Sequence, residues 1–443
     1  MTVHGGTRPW RERLARLDWR LVFVASLALH LGALAVRGSP YTRTENLKAG
    51  FALAEKGYLG DPFYRPTGPT AHLSPVYPVV VGAVHSITRN EPRTVKILSL
   101  IGALVSACCA VMLLPLARRM RLPEGSGVLA ALLWCVPFFS WVELGGEHET
   151  MFTTFAVLAT LLVLFSLLDR PRLSARQGGA LGAVTGAAAH FSPLALPMVL
   201  AATTLGVLSR WRSLTVRPGF VIGFFSALLI VVAPYTIRNR LVMGSTFFIR
   251  DNLGLELAVS NADDARAIAE ANRIPGAAMD RHPFITAAEA VRMRAMGEVA
   301  YNKSRQREAL AWIGSHPAEF MRLTAERAGY LLFPFSGRAY QRALAGALTI
   351  GMLVGLVLLW RSGERATVAV VAGAIVGYEV IYLFVQHDVR YVYPMLWLES
   401  LVAASVPARL LLHNGPALPL RPLPPSTAMP EVERSFHDVA GRT

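Results

Sequence analysis

The sequence predicts an all-α polytopic membrane protein. Of its 443 residues, 53% are hydrophobic and only 16% are charged, and the mean hydropathy is +0.41. A soluble protein of this length carries more charge, and long uncharged runs are typical of membrane-spanning helices. We expect a bundle of about ten transmembrane helices, with interfacial helices in the first outward segment.

The net charge of +15 comes mainly from arginines that flank the apolar runs. Attraction to anionic lipid and the excess of positive charge on the cytoplasmic side explain this placement, so we expect membrane lipids and not nucleic acid as partners. The basic residues 1–20 are predicted to be cytoplasmic and to precede an uncleaved first helix. Cys108, Cys109 and Cys135 all lie in apolar runs without metal-type spacing, which indicates neither disulfides nor a zinc site.

Arginine clusters orient the spans. They follow the apolar runs 94–116 and 151–168 and precede the run 218–235, so these ends should be cytoplasmic. The apolar stretch between Arg176 and Arg210 has basic residues at both ends. A helical hairpin broken near residues 190–193 keeps both ends inside, whereas a single crossing does not.

These assignments give a transmembrane domain at residues 21–412 with both termini cytoplasmic. The apolar run 76–87 is too short for a comfortable span and is interpreted as an interfacial or re-entrant helix. The proline-rich residues 413–443 are predicted to form a disordered cytoplasmic tail. We expect the protein in a bacterial inner membrane, with its active site facing the exterior or periplasm.

Two outward segments are large, at residues 39–93 and 238–342. The second contains apolar positions at helical spacing, interrupted by Pro317, and predicts a pair of amphipathic helices on the outer face. The first interleaves aromatic and aliphatic residues with few charges, which a simple connector does not require. We therefore expect it to fold against the membrane surface, line a cavity and carry the active site.

Glu45, in the first outward segment, is the candidate catalytic base. A carboxylate is a usual acceptor for a hydroxyl proton, and partial burial is expected to raise its pKa towards the working pH. A residue that only begins a helix and interacts with the helix dipole would look the same in sequence.

Other polar residues are predicted to gather at the same outward face. Glu147 and Glu149 flank a histidine and could orient an acceptor or hold a divalent cation, although both also suit a solvated helix cap. Arg238, Arg390 and Tyr391 are candidates for binding the phosphate of a lipid donor, because a guanidinium binds phosphate through two parallel hydrogen bonds. Interfacial snorkelling of Arg238 and a salt bridge from Arg390 to Asp388 are the structural alternatives.

Several short motifs occur in an order that resembles the bacterial relatives of the dolichyl-phosphate-mannose:protein mannosyltransferases, which belong to the GT-C class of membrane glycosyltransferases. The similarity covers residues 20–410. The motifs are Glu45, Ala54, Gly57-Tyr58, Gly68-Pro69-Thr70-Ala71, Pro75-Val76-Tyr77-Pro78, Pro234-Tyr235-Thr236-Ile237-Arg238-Asn239, Gly297-Glu298, Tyr301, His316-Pro317, Phe320, Arg390-Tyr391 and Pro394.

This resemblance implies inverting transfer of a sugar from a polyprenyl-phosphate donor to a lipid, glycan or protein acceptor. Glu45 matches the acidic residue that is the catalytic base in that family, where aspartate is common. The family often has an Arg-Pro pair where this chain has residues 190–193, so no role for His190 carries over. No cofactor is required by the resemblance, and a divalent cation, Mg²⁺ or Mn²⁺, is compatible with it.

Two other functions are open at this stage. A transporter or flippase of lipid-linked substrates would place polar residues through the membrane depth, whereas the charges of this chain gather at helix ends. A catalytically degenerate scaffold is suggested by the missing aspartate. The sugar and the acceptor depend on the shape of the binding pocket and are not specified by these motifs.

Overall fold

A computed structural model describes residues 18–38, 42–135, 148–333 and 339–412 of the protein. The predicted N-terminal basic segment up to residue 17 and the predicted tail at residues 413–443 therefore lie outside the described residues. The helices, in chain order, are α1 (Trp19–Arg37), α2 (Glu45–Lys56), α3 (Val76–Thr88), α4 (Glu91–Arg119), α5 (Ser126–Trp134), α6 (Thr150–Leu168), α7 (Ala175–Ala189), α8 (Ala195–Ser209), α9 (Pro218–Met243), α10 (Leu253–Ser260), α11 (Ala269–Asn272), α12 (Ala287–Met296), α13 (Glu298–Ser315), α14 (Pro317–Leu332), α15 (Ala339–Arg361), α16 (Arg365–Glu379) and α17 (Val389–Leu412).

Six of the described helices are long and apolar enough to cross a membrane, namely α1, α4, α6, α9, α15 and α16 with its 3₁₀ extension to Leu383. The other four predicted spans correspond to α5, α7, α8 and α17, although residues 136–144 of the predicted span at α5 lie outside the described residues. Helices α7 and α8 have 15 residues each, or about 22 Å, which is less than the roughly 30 Å of the hydrocarbon core. This agrees with the prediction of a short hairpin, and the break falls at residues 190–194 as expected.

The two hairpin helices pack on different partners, α7 on α9 and α8 on α16. In both pairs, glycines allow the backbones to approach closely. A Cβ on Gly178 would lie 1.9 Å from the Phe220 carbonyl oxygen of α9, and one on Gly182 would lie 2.1 Å from that of Phe224. Gly377 of α16 approaches the backbone of α8 in the same way, with 2.6 Å to Pro197 O. Small residues four apart are a usual means of bringing membrane helices together.

The two outward segments fold onto each other at one end of the bundle. In the first, Thr44 caps α2, the chain reverses at Gly57 with φ 76°, and α3 returns to pack on α2. In the second, the predicted pair of helices is present, since α13 ends at Ser315 and α14 begins at Pro317. Phe63 of the first segment is buried against Leu255 and Tyr301 of the second, so the segments share a hydrophobic cluster.

Helix α9 continues past Arg238 to Met243, so the second outward segment leaves this helix only at Gly244. At the other end of the bundle, two-residue strands β1 (Arg172–Leu173) and β2 (Thr215–Val216) pair in parallel. This short pairing fixes the loops that leave α6 and α8. Among the described residues, it is the only pairing between strands of two or more residues.

Candidate active site

A buried carboxylate connects the two outward segments. Glu298 begins α13 and is 7% exposed. Its Oε2 accepts a hydrogen bond from Thr70 Oγ1 at 2.5 Å and its Oε1 accepts one from the Ala71 amide at 2.7 Å. Burial raises the pKa of Glu298, and these two donors with the charges of His72 and Arg238 oppose the rise. The Glu298 carboxylate therefore fixes the backbone at the turn that precedes His72.

Basic residues at and beyond the end of α9 hold the same stretch from its other side. Arg238 donates to Thr70 O at 2.8 Å and to Leu59 O at 3.2 Å, and Arg250 Nε donates to His72 O at 2.8 Å. The Asp251 amide donates to Ala71 O at 3.0 Å. The Arg238 guanidinium thus contacts the first outward segment, and its predicted contact with a donor phosphate stays a prediction.

Glu45, His72 and His282 form a compact cluster at the N-terminus of α2. Glu45 Oε1 lies 3.4 Å from His72 Nε2 and 3.8 Å from His282 Nε2. Both imidazoles are at most 5% exposed, whereas the Glu45 side chain is 25% exposed although its Oε1 is buried. Phe63 covers both histidine rings, with centroid distances of 4.9 and 6.1 Å. The carboxylate is therefore anchored on one side and accessible on another.

The expectation of a raised Glu45 pKa is wrong. Burial alone would raise it, but the charge and hydrogen bonding of His72 and the charges of His282 and Arg390 outweigh burial, so the pKa lies below its ordinary value. Burial lowers the pKa of His72, but the charge of Glu45 and its hydrogen bond raise it by more. The pKa of His72 therefore lies above its ordinary value. For His282 the effect of burial exceeds the opposing effect of the Glu45 charge, so its pKa lies below its ordinary value. Glu45 is thus ionised at neutral pH.

Arg390 lies near enough to Glu45 for its charge to lower the Glu45 pKa. It is held between an acid and a histidine. Its NH2 donates to Asp388 Oδ2 at 3.2 Å, the salt bridge that was the structural alternative to phosphate binding, and its NH1 lies 3.0 Å from His148 Nδ1. Burial and the Arg390 charge lower the pKa of His148 to about 4, so the imidazole is neutral and accepts the hydrogen bond. Tyr391 stacks face to face on Tyr382 at 4.6 Å.

Glu149 contacts Asn46, the residue that follows Glu45 in α2. It occupies the N-cap position of α6 without capping it, and its Oε2 accepts a hydrogen bond from Asn46 Nδ2 at 2.5 Å. Since Asn46 follows Glu45, the two acids approach the same helix start. Glu147 lies outside the described residues. Glu45, Glu149 and Arg390 are therefore brought together, whereas Arg238 lies behind the stretch that carries His72.

The residues that the sequence did not identify as a set are His72 and His282. No sequence pattern assigns either residue a role in the site. Their side chains meet at Glu45 because the segments 39–93 and 238–342 fold together, which no local pattern reveals. A useful signal was the HLSP sequence of residues 72–75, where a histidine precedes the proline turn that opens α3.

These three side chains fit a metal ion. The ligating atoms lie within 4.8 Å of one another, and neighbouring ligands of a tetrahedral Zn²⁺ are about 3.3 Å apart for bonds near 2.0 Å. No described residue gives Glu45 Oε1 or His72 Nδ1 a hydrogen-bond partner of good geometry. Two imidazoles and one carboxylate suit Zn²⁺ or Mn²⁺ better than Mg²⁺, which prefers oxygen ligands.

Comparison with solved structures identifies the architecture. An Archaeoglobus fulgidus oligosaccharyltransferase tethered to an acceptor peptide superposes with TM-score 0.54 and 13% identity, over 90% of this chain and 50% of that one. The archaeal oligosaccharyltransferase AglB from the same organism, bound to an inhibitory peptide and dolichol-phosphate, gives 0.53 and 16%, over 89% and 50%. The protein has the GT-C fold.

The prediction of an all-α polytopic membrane protein of this class is thereby confirmed. The chain spans about half the length of the two oligosaccharyltransferases. ArnT from Cupriavidus metallidurans, bound to undecaprenyl phosphate, is also similar, with TM-score 0.39 and 15% identity over 86% of this chain and 77% of ArnT. No protein-family model and no curated protein matches the sequence.

Asp251 provides a test of the site's electrostatics. Burial, then repulsion from Glu298, raises its pKa from 3.8 to about 6, and no described residue donates to its buried Oδ2. An acid whose pKa is raised in the folded state destabilises the fold once it is ionised, so the free energy of unfolding falls as pH rises from about 3.8 towards 6 and stays lowered above that range. We expect Asp251→Asn to be more stable than wild type at pH 7 and to lose part of the pH dependence between 4 and 6.

Thermal unfolding of the detergent-solubilised protein, followed by tryptophan fluorescence, measures this effect. Asp263→Asn is the matched control, because the Asp263 carboxylate is 85% exposed. Equal melting temperatures for Asp251→Asn and wild type at pH 7, with unchanged pH dependence, would contradict the assignment.

Proposed function

We propose that the protein transfers a sugar from a polyprenyl-phosphate donor to a lipid, glycan or protein acceptor, with inversion at the anomeric carbon. The observation that carries the proposal is the Glu45 carboxylate, which lies 3.4 Å from His72 Nε2 and 3.8 Å from His282 Nε2 and is partly accessible at the end of a GT-C bundle. The similar oligosaccharyltransferase was solved with dolichol-phosphate, which supports a lipid-phosphate donor here. We further propose that the site faces the periplasm or exterior of a bacterial inner membrane.

In this mechanism Glu45 accepts the proton of an acceptor hydroxyl or amine. The acceptor atom forms a bond to the anomeric carbon as the bond from that carbon to the phosphate oxygen breaks, and polyprenyl phosphate departs with the bonding electrons. Negative charge grows on that phosphate, and positioned guanidinium groups stabilise it most in the transition state. Arg390, with Tyr391 beside it, is the proposed phosphate contact, since its charge already acts on Glu45.

Arg238 has a second role in this proposal. By donating to the carbonyls of Leu59 and Thr70, it holds the backbone that carries His72 in place. An arginine satisfies two carbonyls through its planar fork, which lysine lacks. Its removal would therefore loosen the cluster as well as remove a positive charge from the donor's surroundings.

The Glu45 carboxylate is tested by Glu45→Gln. Glutamine keeps the size of the side chain but removes the basic oxygen. We therefore expect folded protein that still binds the donor but transfers sugar more slowly, by a factor on the order of a hundred or more. The assay incubates purified protein with radiolabelled undecaprenyl-phosphate sugars and acceptor-containing membranes, and counts label in the lipid, glycan and protein fractions.

Glu55→Gln is the matched control. Glu55 lies at the far end of the same helix, with a side chain that is 57% exposed, and should leave turnover within about twofold of wild type. A wild-type rate for Glu45→Gln would reject Glu45 as the base and make Glu149 the next candidate. If wild-type protein moves labelled donor across vesicles without consuming it, the protein is a transporter; if it neither consumes nor moves any donor, it is a scaffold.

Glu45, His72 and His282 would together hold a divalent cation, with Zn²⁺ or Mn²⁺ favoured by the donor set. When bound, such a cation would supply positive charge beside the acceptor and the leaving phosphate. Glu45 Oε1 would be the ligand. The exposed part of the carboxylate would then remain available to the acceptor.

Metal content measures this directly. After equilibration with Zn²⁺ or Mn²⁺ and desalting, wild-type protein should retain about one ion per chain, measured by inductively coupled plasma mass spectrometry. His72→Gln or His282→Gln should retain at least tenfold less metal. His316→Gln serves as the control because the His316 side chain is 48% exposed and is not one of the three clustered residues. Equal metal content in all four proteins would assign His72 to an ion pair with Glu45 alone.

A further inference from the structure

A cavity of about 230 Å³ lies at the end of the bundle opposite to the active site. Helix α4 connects the two ends. Its first residue, Glu91, pairs with Arg43 of the first outward segment, whereas Arg119 at its last turn lines the cavity. The 29 residues of α4 span about 43 Å at 1.5 Å per residue. This cavity is therefore separate from the Glu45 cluster.

Four arginines from different parts of the chain converge on this cavity, together with two acids, a net charge of +2. They come from the ends of α4, α6 and α8 and the start of α16. The charged lining residues are Arg119, Arg121, Asp169, Arg210, Glu364 and Arg365. Arginines that served only to orient the helices would have no reason to surround one cavity.

The two acids do not neutralise these arginines. Arg119 pairs with Asp169 at 3.1 Å, but Arg121 makes only long contacts, 3.7 Å to Asp169 and 3.8 Å to Glu364. Arg210 donates to the Leu168 carbonyl, which carries no net charge. The Arg365 guanidinium lies 5.4 Å from the ring centre of Trp360. Among the described residues, no carboxylate lies within 4 Å of Arg210 or Arg365.

The surroundings of the cavity indicate a lipid. Phe165, Leu168 and Val370 provide apolar lining next to the arginines. Trp211 and Trp360, on the neighbouring helix ends, are 68% and 54% exposed. Exposed tryptophans are enriched where a membrane meets water, at the level of the headgroups. A free phosphate would use the arginines but not the apolar lining.

We propose that this cavity binds the headgroup of an anionic phospholipid, with the phosphodiester held by Arg121, Arg210 and Arg365. Basic pockets between transmembrane helices are a recurring way to bind acidic lipid headgroups. The cavity is smaller than the roughly 300–1,000 Å³ of pockets for drug-sized ligands, which suits a headgroup whose acyl chains remain in the membrane. This site requires no catalytic activity and is independent of the proposed function.

The test measures binding of dioctanoyl phosphatidylglycerol to the full chain in neutral detergent, by native mass spectrometry. We expect the double variant Arg121→Gln with Arg365→Gln to bind at least tenfold more weakly than wild type. The matched control, Arg176→Gln with Arg212→Gln, removes the same charge from exposed positions outside the cavity lining and should bind within about twofold of wild type. Dioctanoyl phosphatidylcholine should bind weakly to all three proteins.

A second variant covers the case in which the glutamine variant does not fold. Arg121→Lys with Arg365→Lys keeps both charges but loses the planar forks, so it should bind a few-fold more weakly than wild type. Unchanged affinity in the folded cavity variants, or equal affinity for phosphatidylcholine, would overturn the proposal. Competition by inorganic phosphate at the same concentration as the lipid would assign the cavity to a free anion instead.

Discussion

The hydrogen bonds from Thr70 and Ala71 to the buried Glu298 carboxylate are the interaction on which the active site depends. They join positions 228 and 227 residues apart in the chain, and they fix the backbone just before His72. Together with the contacts from Arg238, Arg250 and the Asp251 amide, they position the His72 imidazole beside the Glu45 carboxylate. A buried acid is costly unless it is hydrogen-bonded, and both Glu298 oxygens are. The same contact therefore satisfies Glu298 and positions the site.

Around this contact, the site is an arrangement of compensated charges. Glu45 is balanced by His72 and Arg390, and Arg390 is balanced in turn by Asp388. Because each group depends on its neighbours, the pKa of Glu45 reflects the folding of both outward segments and not its own burial alone. This explains why an argument from desolvation predicted the wrong direction for the Glu45 pKa.

Much of the fold was predictable from the sequence because membrane helices are marked by local patterns. Apolar runs, arginine clusters and the break at residues 190–193 identified the spans and the hairpin, and Pro317 marked the junction of α13 and α14. Glu45 was predictable as a candidate because it begins a polar segment beside an apolar one. The His72 and His282 pairing was not, since it arises from contact between segments that are distant in the chain. The contacts of Arg238 with Leu59 and Thr70 are of the same kind, because backbone carbonyls leave no signature in a sequence.

We propose that the donor phosphate binds beside Arg390, facing the Glu45 cluster. A cryo-electron microscopy structure of the full chain in nanodiscs with undecaprenyl phosphate tests it most directly. We expect phosphate density within hydrogen-bonding distance of the Arg390 guanidinium, on the side of Glu45, with His72 and His282 still flanking the carboxylate. Phosphate density bound to the protein elsewhere, with the Arg390 side of the cluster unoccupied, would contradict it.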